Sequence, residues 1–197
     1  MYTVIGGVKT RAFRVMWMLE ELGQTYDVIP AAPQSEDARK YNPSGKVPAL
    51  LDGNERLTDS TAIMQYLADK HGALTAPAGT PARARQDAMV FWLVDEFDAI
   101  LWAAAKHSFV LPEELRMPQI KVTLKTEFTR SSKLLADRIE GPFLMGDEIT
   151  VPDILAVQCI NWSIGAGFPS VDDRLGAWAA GLRKRDAFKA VRARGDA

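Results

Sequence analysis

The hydrophobic pattern begins with Thr3-Val4-Ile5, a short β-branched run closed by Gly6-Gly7. From Arg11 the pattern changes to RAFRVMWMLEELG, in which Phe13, Val15, Met16, Trp17, Met18, Leu19 and Leu22 make most sides of a helix apolar and Gly23 supplies its stop. A helix of this kind belongs between packed layers. Tyr26 to Ile29 reads as a second strand, and strand, helix, strand at this length is a βαβ unit with a right-handed crossover, so the two strands are predicted parallel. Pro33 to Tyr41 is polar and weakly helical, and Asn42-Pro43-Ser44-Gly45 is a turn cluster. Ala49 to Leu51 and Arg56 to Thr58 flank Asp52-Gly53-Asn54 and read as a hairpin whose loop exceeds the two-residue ideal. Ile63, Met64, Tyr66 and Leu67 then give the next helix its apolar face. The order βαβ then ββα is an α/β layer architecture.

After Gly72 the periodicity is helical throughout. Gly72 to Gly79, GALTAPAG, is a linker of small residues and proline, which separates a first domain at residues 1–74 from a second at 80–197. Thr80 is an N-cap candidate with Pro81 at the first helical position, and Ala82 to Lys106 can run as one long helix before Pro112 interrupts it. A second long amphipathic helix is predicted from Pro118 to Ile139, ended by Gly141-Pro142. Thr150 and Asp153 form a variant capping box, with Ile149 and Ile154 at the staple positions, so a helix starts there and reaches Trp162. A last helix fits Val171 to Arg185.

Composition narrows the function classes. With 197 residues, 47% apolar and 25% charged, the chain can bury a core and is not a disordered polypeptide. A formal charge of −1 removes the electrostatic footprint of a nucleic-acid binder. No run approaches the roughly 20 apolar residues that span a bilayer, and MYTVIGGVKTR lacks the apolar core of a signal peptide, so no membrane attachment and a cytoplasmic location are expected. The single cysteine, Cys159, falls among Leu155, Val157 and Ile160 and reads as a buried structural thiol; it excludes an intrachain disulfide and a Cys-x-x-Cys redox pair. His71 and His107 are the only histidines, so no metal site is expected.

The stretch from Ser44 to Gly72 reads as a ligand seat. Val47 precedes Pro48, which pushes it to extended backbone, while Pro48 has no N–H for a neighbouring strand, so an edge is expected at which Val47 can pair with a peptide-like ligand. Asp59 and Ser60 open a helix and place a carboxylate, a hydroxyl and free N–H groups at its positive end, which attracts anions. Plain helix capping is the competing account of these two residues. A small peptide with an amine and a carboxylate at one end fits both halves of the stretch.

In this order the pieces resemble the cytosolic glutathione transferase family across nearly the whole chain, in the style of bacterial members with a non-tyrosine site. The resemblance rests on Asn42-Pro43-Ser44-Gly45-Lys46-Val47-Pro48-Ala49-Leu50, on Thr58-Asp59-Ser60, on Arg11 to Gly23, and on Gly146-Asp147 followed by the Thr150 to Asp153 box. It implies a thioredoxin-like α/β N-terminal domain plus an all-α C-terminal domain, usually a homodimer, and a cis Val47–Pro48 bond. It also implies glutathione as cosubstrate, with Val47 pairing to its cysteinyl backbone, Asp59 and Ser60 holding the γ-glutamyl end, and Lys46 reaching the glycyl carboxylate.

Catalysis in such a family needs the glutathione sulfur as thiolate, and a free thiol titrating near 8.5 is only a few per cent ionised at neutral pH. The family places a Tyr, Ser or Cys just after the first strand, whereas this chain has Gly6-Gly7-Val8-Lys9-Thr10-Arg11. Thr10 is the one hydroxyl in reach. It can donate to the sulfur, with Lys9 or Arg11 adding positive potential, or it can simply cap the helix. The electrophile, a small molecule or a hydroperoxide, is expected between the domains near Val8, Trp102, Lys106 and Trp162. A glutathione transferase, with glutathione-dependent peroxidase activity as an extension and detoxification as its setting, is the leading expectation. The rival is a glutathione-binding or protein-interaction module of the same fold with little turnover.

Overall fold

The computed structural model describes residues 1–195. They form two compact units, one comprising Met1–Arg83 together with the chain from Arg183 onward, the other Ala84–Leu182.

In the first unit, β1 (Tyr2–Ile5), α1 (Ala12–Glu21) and β2 (Tyr26–Ile29) form the predicted βαβ unit, with Tyr2 paired to Tyr26 and Ile5 to Ile29 in parallel register. After α2 (Glu36–Tyr41), β3 (Ala49–Asp52) runs antiparallel to both β1 and β4 (Glu55–Thr58), and the strand order is β2-β1-β3-β4. Asp52 pairs with Glu55, so the hairpin closes on only Gly53-Asn54, tighter than its sequence suggests, with Gly53 at φ +59. α3 (Ser60–His71) follows and ends at Gly72 in the left-handed conformation. α1 buries Val15, Met16, Trp17, Met18 and Leu19 completely because it packs against the sheet, α3 and the C-terminal helix at once. Elsewhere in this unit Ile5 and Ala49, paired in register, pack with Ala31, Ala38 and Val47.

The second unit is all helical. Thr80 Oγ1 accepts the Arg83 N–H at 3.2 Å and so caps α4 (Pro81–Leu93). The predicted long helix is continuous through α5 (Ile100–Ala105), but two wider π-helical stretches, Val94–Ala99 and Lys106–Val110, interrupt its α geometry before Leu111 turns extended ahead of Pro112. α6 (Ile120–Asp137) and α7 (Val151–Gly165) follow. Every residue from Val151 to Ile160 is buried, Cys159 completely, so α7 is the central helix of its unit.

The start of α7 is held by Asp153. Its Oδ1 accepts the Leu144 N–H at 2.7 Å, and its Oδ2 accepts the Thr150 N–H at 2.7 Å and hydroxyl at 2.9 Å. Burial outweighs these donors and pushes the carboxyl up to about 6. Beyond α7 the structure departs from the sequence pattern. The expected single helix at Val171 to Arg185 is α8 (Asp173–Leu182), and Arg185 is extended and leads into a further helix, α9 (Asp186–Ala193). Phe188 of α9 is buried against Phe13 and Trp17 of α1, with ring centroids 5.1 and 5.0 Å away, so the end of the chain packs in the first unit. No helix among the described residues is long and apolar enough to cross a membrane.

Candidate active site

Register brings three loops to one end of the first unit's sheet. Ile5 closes β1 opposite Ala49, and Ala49 lies opposite Thr58, so the Gly6–Arg11 loop, the Lys46–Pro48 approach and the Asp59–Ser60 junction all leave the ladder together. Gly6 fixes how closely they meet. At φ +131 it has a conformation open to glycine, and a Cβ there would lie 2.9 Å from Ala12 Cβ, 3.2 Å from Val47 Cβ and 3.5 Å from Thr10 Oγ1. Thr10 and Val47 therefore border the same point.

Val47 is divided between core and surface. Its side chain packs with Ile5, Ala38 and Ala49, the bond to Pro48 is cis, and neither its N–H nor its C=O has a hydrogen-bond partner among the described residues. The expected sheet edge is not the cause, because β3 is an inner strand and the edges are β2 and β4. Val47 is open because it lies beyond the last rung at Ala49, where Pro48 has no N–H to continue the ladder. Its approach loop is built by Asn42 of the turn cluster together with Gln34 and Arg39, which carry no individual signal in the sequence. Gln34, at φ +68, donates through Nε2 to Ser44 O at 3.0 Å and through its N–H to Gly45 O at 2.7 Å. Arg39 donates to Gln34 Oε1 at 2.6 Å and to Pro43 O at 3.1 Å, while Asn42 donates to Lys46 O at 3.0 Å. The Lys46 side chain is exposed beside this scaffold.

At the third loop Asp59 takes φ +67 and ψ +117, and its Oδ1 accepts from Thr61 N at 2.9 Å and Ala62 N at 3.1 Å. The capping account of Asp59 is thus correct as far as Oδ1 goes. Buried Ser60 keeps both its N–H and its hydroxyl unengaged among the described residues, so the α3 N-terminus presents open donors beside a carboxylate.

Thr10 also caps. Its hydroxyl donates to Gly7 O at 2.7 Å and accepts the Ala12 N–H at 3.1 Å. In this state the proton is directed at a carbonyl, and a bond to sulfur requires the hydroxyl to exchange Gly7 O for the ligand. The N–H groups of Val8 and Lys9 have no acceptor among the described residues and point to further donor capacity in the same loop. Lys9 is exposed and Arg11 half-buried at the start of α1.

A family profile described as the glutathione S-transferase N-terminal domain matches residues 12–77, which span α1 through α3. Human glutathione S-transferase theta-1 is 31% identical over 161 residues, an alignment covering 77% of this chain and 67% of that protein. The chain belongs to the glutathione S-transferase family. It spans about two thirds of the length of the human theta-class relatives. Among solved structures, a glutathione transferase from Methylococcus capsulatus str. bath aligns with TM-score 0.84 at 25% identity, over 100% of both chains. The theta class glutathione S-transferase of Xanthomonas axonopodis pv. citri, determined with glutathione bound, aligns with TM-score 0.78 at 25% identity over 96% of this chain and 95% of that one. The expected fold of a thioredoxin-like domain with an all-helical second part is the fold of this family member.

Of the residues expected to receive an electrophile, Val8 belongs to the first unit and Trp102, Lys106 and Trp162 to the second. Val8 lies against the backbone of Gly195, where an added Cβ would meet its Cγ2 at 2.5 Å. Trp102 is on α5, Lys106 opens the second π-helical stretch, and Trp162 is on α7, where it lines a cavity within the helical unit.

Proposed function

We propose that this chain is a glutathione transferase in which Val47 reads the backbone of glutathione, the α3 N-terminus holds its γ-glutamyl end, and the Gly6–Arg11 loop stabilises its thiolate. The observation that carries the reading is Val47, whose side chain is fixed in the core while both backbone groups stay open. Asp59 supplies a carboxylate for the γ-glutamyl ammonium, and Ser60 supplies donors for its carboxylate. Lys46, exposed next to Val47, reaches the glycyl carboxylate. When the ligand enters, Thr10 turns its proton from Gly7 O to the sulfur. The N–H groups of Val8 and Lys9, the α1 N-terminus and the charges of Lys9 and Arg11 all favour the anion. The thiolate then attacks a small electrophile, forming a carbon–sulfur bond with loss of a leaving group or addition to an unsaturated carbon, or a hydroperoxide, whose O–O bond breaks as the terminal oxygen passes to sulfur and the alcohol leaves, a second glutathione thiol then giving the disulfide and water. The protein works as a homodimer in the cytoplasm, in detoxification chemistry; sedimentation velocity on the purified chain tests the dimer.

A second reading is favoured by one specific contact. The 2.7 Å bond from Thr10 to Gly7 O commits the one hydroxyl of the Gly6–Arg11 loop to the loop itself, which suits a glutathione-binding module with little turnover. Thr10→Val separates the two. If Thr10 is the donor, the variant raises the thiol pKa of bound glutathione by about one unit, seen in ultraviolet titration of the thiolate, and turnover of aryl halides, isothiocyanates or hydroperoxides falls, while Thr10→Ser restores both. If Thr10 is only a cap, Thr10→Val costs about 1 kcal/mol of stability and leaves the thiol titration where it was. Absence of glutathione binding at millimolar concentration would sink both readings.

A further inference from the structure

Gln34 stands between β2 and α2 at φ +68, a left-handed conformation that strains a residue with a side chain and suits glycine. Glycine there would remove the strain, yet the chain holds a glutamine, and the reason lies in what its amide joins. Nε2 donates to Ser44 O at 3.0 Å and Oε1 accepts from Arg39 Nη2 at 2.6 Å, while Arg39 Nη1 donates to Pro43 O at 3.1 Å. The Gln34 N–H adds a bond to Gly45 O at 2.7 Å. One strained residue and one arginine thus take up the carbonyls of Pro43, Ser44 and Gly45 in succession. The fit is close, since a Cβ on Gly45 would lie 2.8 Å from Gln34 Oε1 and 3.1 Å from its Cα.

The loop's own bonds are local. Asn42 O accepts the Gly45 N–H at 2.8 Å and Asn42 Oδ1 accepts the Ser44 N–H at 3.1 Å, which shapes the turn without fixing its place on the sheet. Arg39 supplies that reference. Its neighbour Ala38 is buried with Ile5, Val47 and Ala49, and Arg56 of β4 donates to Lys40 O at 3.1 Å near the end of α2. Gln34 and Arg39 are themselves exposed, where bonds exchanged with water add little to folding. Backbone strain kept for so small a gain in stability marks a functional surface. Directly after the loop come Lys46 and Val47.

We propose that Gln34 and Arg39 are positioning residues for glutathione, holding the Pro43–Lys46 loop so that the open backbone of Val47 and the Lys46 ammonium are in place before the tripeptide arrives. This inference rests on the glutathione reading of Val47. Neither side chain has to touch the ligand. A loop ordered beforehand loses no freedom on binding, so the brace acts on affinity and not on the chemistry of the sulfur.

Two variants test the brace. Gln34→Gly removes strain and amide together, and Arg39→Ala removes the second half of the brace and leaves the strain. Gln34→Gly is expected to melt within about 2 °C of wild type or above it, while its glutathione affinity falls about fivefold or more by calorimetric titration. Stability and affinity then part company, which a merely structural glutamine would not allow. In both variants KM for glutathione rises, kcat at saturating glutathione stays within about twofold, and the thiol pKa of bound glutathione does not move. A readout that needs no ligand is backbone nitrogen relaxation, in which order parameters at Ser44, Gly45 and Lys46 drop from about 0.85 in wild type to below about 0.6 in either variant. Unchanged order parameters, unchanged glutathione affinity in both variants, or a Gln34→Gly protein that loses stability and affinity together would each overturn the proposal. Failure of the glutathione reading is told apart by the wild-type titration, because that protein would then bind no glutathione while its loop stayed ordered by the same brace.

Discussion

Asp59 holds a backbone conformation, φ +67 and ψ +117, that costs a non-glycine residue about 1–3 kcal/mol. Its Oδ1 caps α3, but a cap does not require charge, since asparagine accepts the same N–H groups and tolerates positive φ better than most residues. What the carboxylate adds is attraction for an ammonium group. Asp59→Asn is therefore expected to stay within about 1 kcal/mol of wild-type stability and to weaken glutathione binding about tenfold or more, read by calorimetric titration beside a thermal melt. Equal affinity in the variant would reduce Asp59 to a cap. The residues of this site that were legible in the sequence carry local signals, as Val47 does beside Pro48, and Asp59 and Ser60 do at a helix start. Gln34 and Arg39 carry none. Their roles exist only after the chain folds back and lays the Ser44–Lys46 loop across them. The direction of the Thr10 proton was equally hidden, because donor and cap use the same hydroxyl.

Elements with a strong period or a chemical punctuation mark were readable, and those defined by distant packing were not. α1, β1 and β2 follow from their apolar runs and Gly23, and α7 follows from its capping box. α9 was missed because Phe188 and Val191 are the only large apolar residues of a helix just eight residues long, and its stability comes from α1. The π-helical stretches left no mark in the hydrophobic pattern, which stays continuous through them. The capping box itself gives a pH prediction. A free aspartate titrates near 3.9, whereas burial raises Asp153 to about 6, so the folded state keeps a proton that the unfolded chain has already lost. This carboxyl's contribution is therefore fully present below about pH 4 and is lost as pH rises through about 6, a swing of about 2–3 kcal/mol. Asp153→Asn does not titrate, so the stability advantage of wild type over the variant should be larger at pH 4.5 than at pH 7.5 in urea unfolding. An advantage that grows toward neutrality would mean that the hydrogen bonds from Leu144 and Thr150, not burial, control the group.

At the scale of the whole chain, the last helix closes onto the first. Arg185 grips Glu21 through Nε and Nη2 at 2.6 and 2.7 Å across 164 positions of sequence, and the Glu21 side chain is only 6% exposed. Arg194 stacks 4.7 Å over the Tyr26 ring, and Phe188 fills the space between Phe13 and Trp17. The Arg185 and Phe188 contacts load α1, and α1 carries the Gly6–Arg11 loop at its N-terminus, so the order of the candidate site depends on residues at the opposite end of the chain. Phe188→Ala tests that dependence. Truncating a buried phenylalanine costs about 3–5 kcal/mol when its surroundings cannot collapse, and the rigid rings of Phe13 and Trp17 resist collapse. The expected result is a lower denaturation midpoint for the first unit and weaker glutathione binding, with Phe188→Leu losing less than about 1.5 kcal/mol because most of the volume is kept. If α9 were an appendage that frays independently, Phe188→Ala would increase hydrogen exchange in α9 alone, and both the global transition and glutathione affinity would remain at their wild-type values.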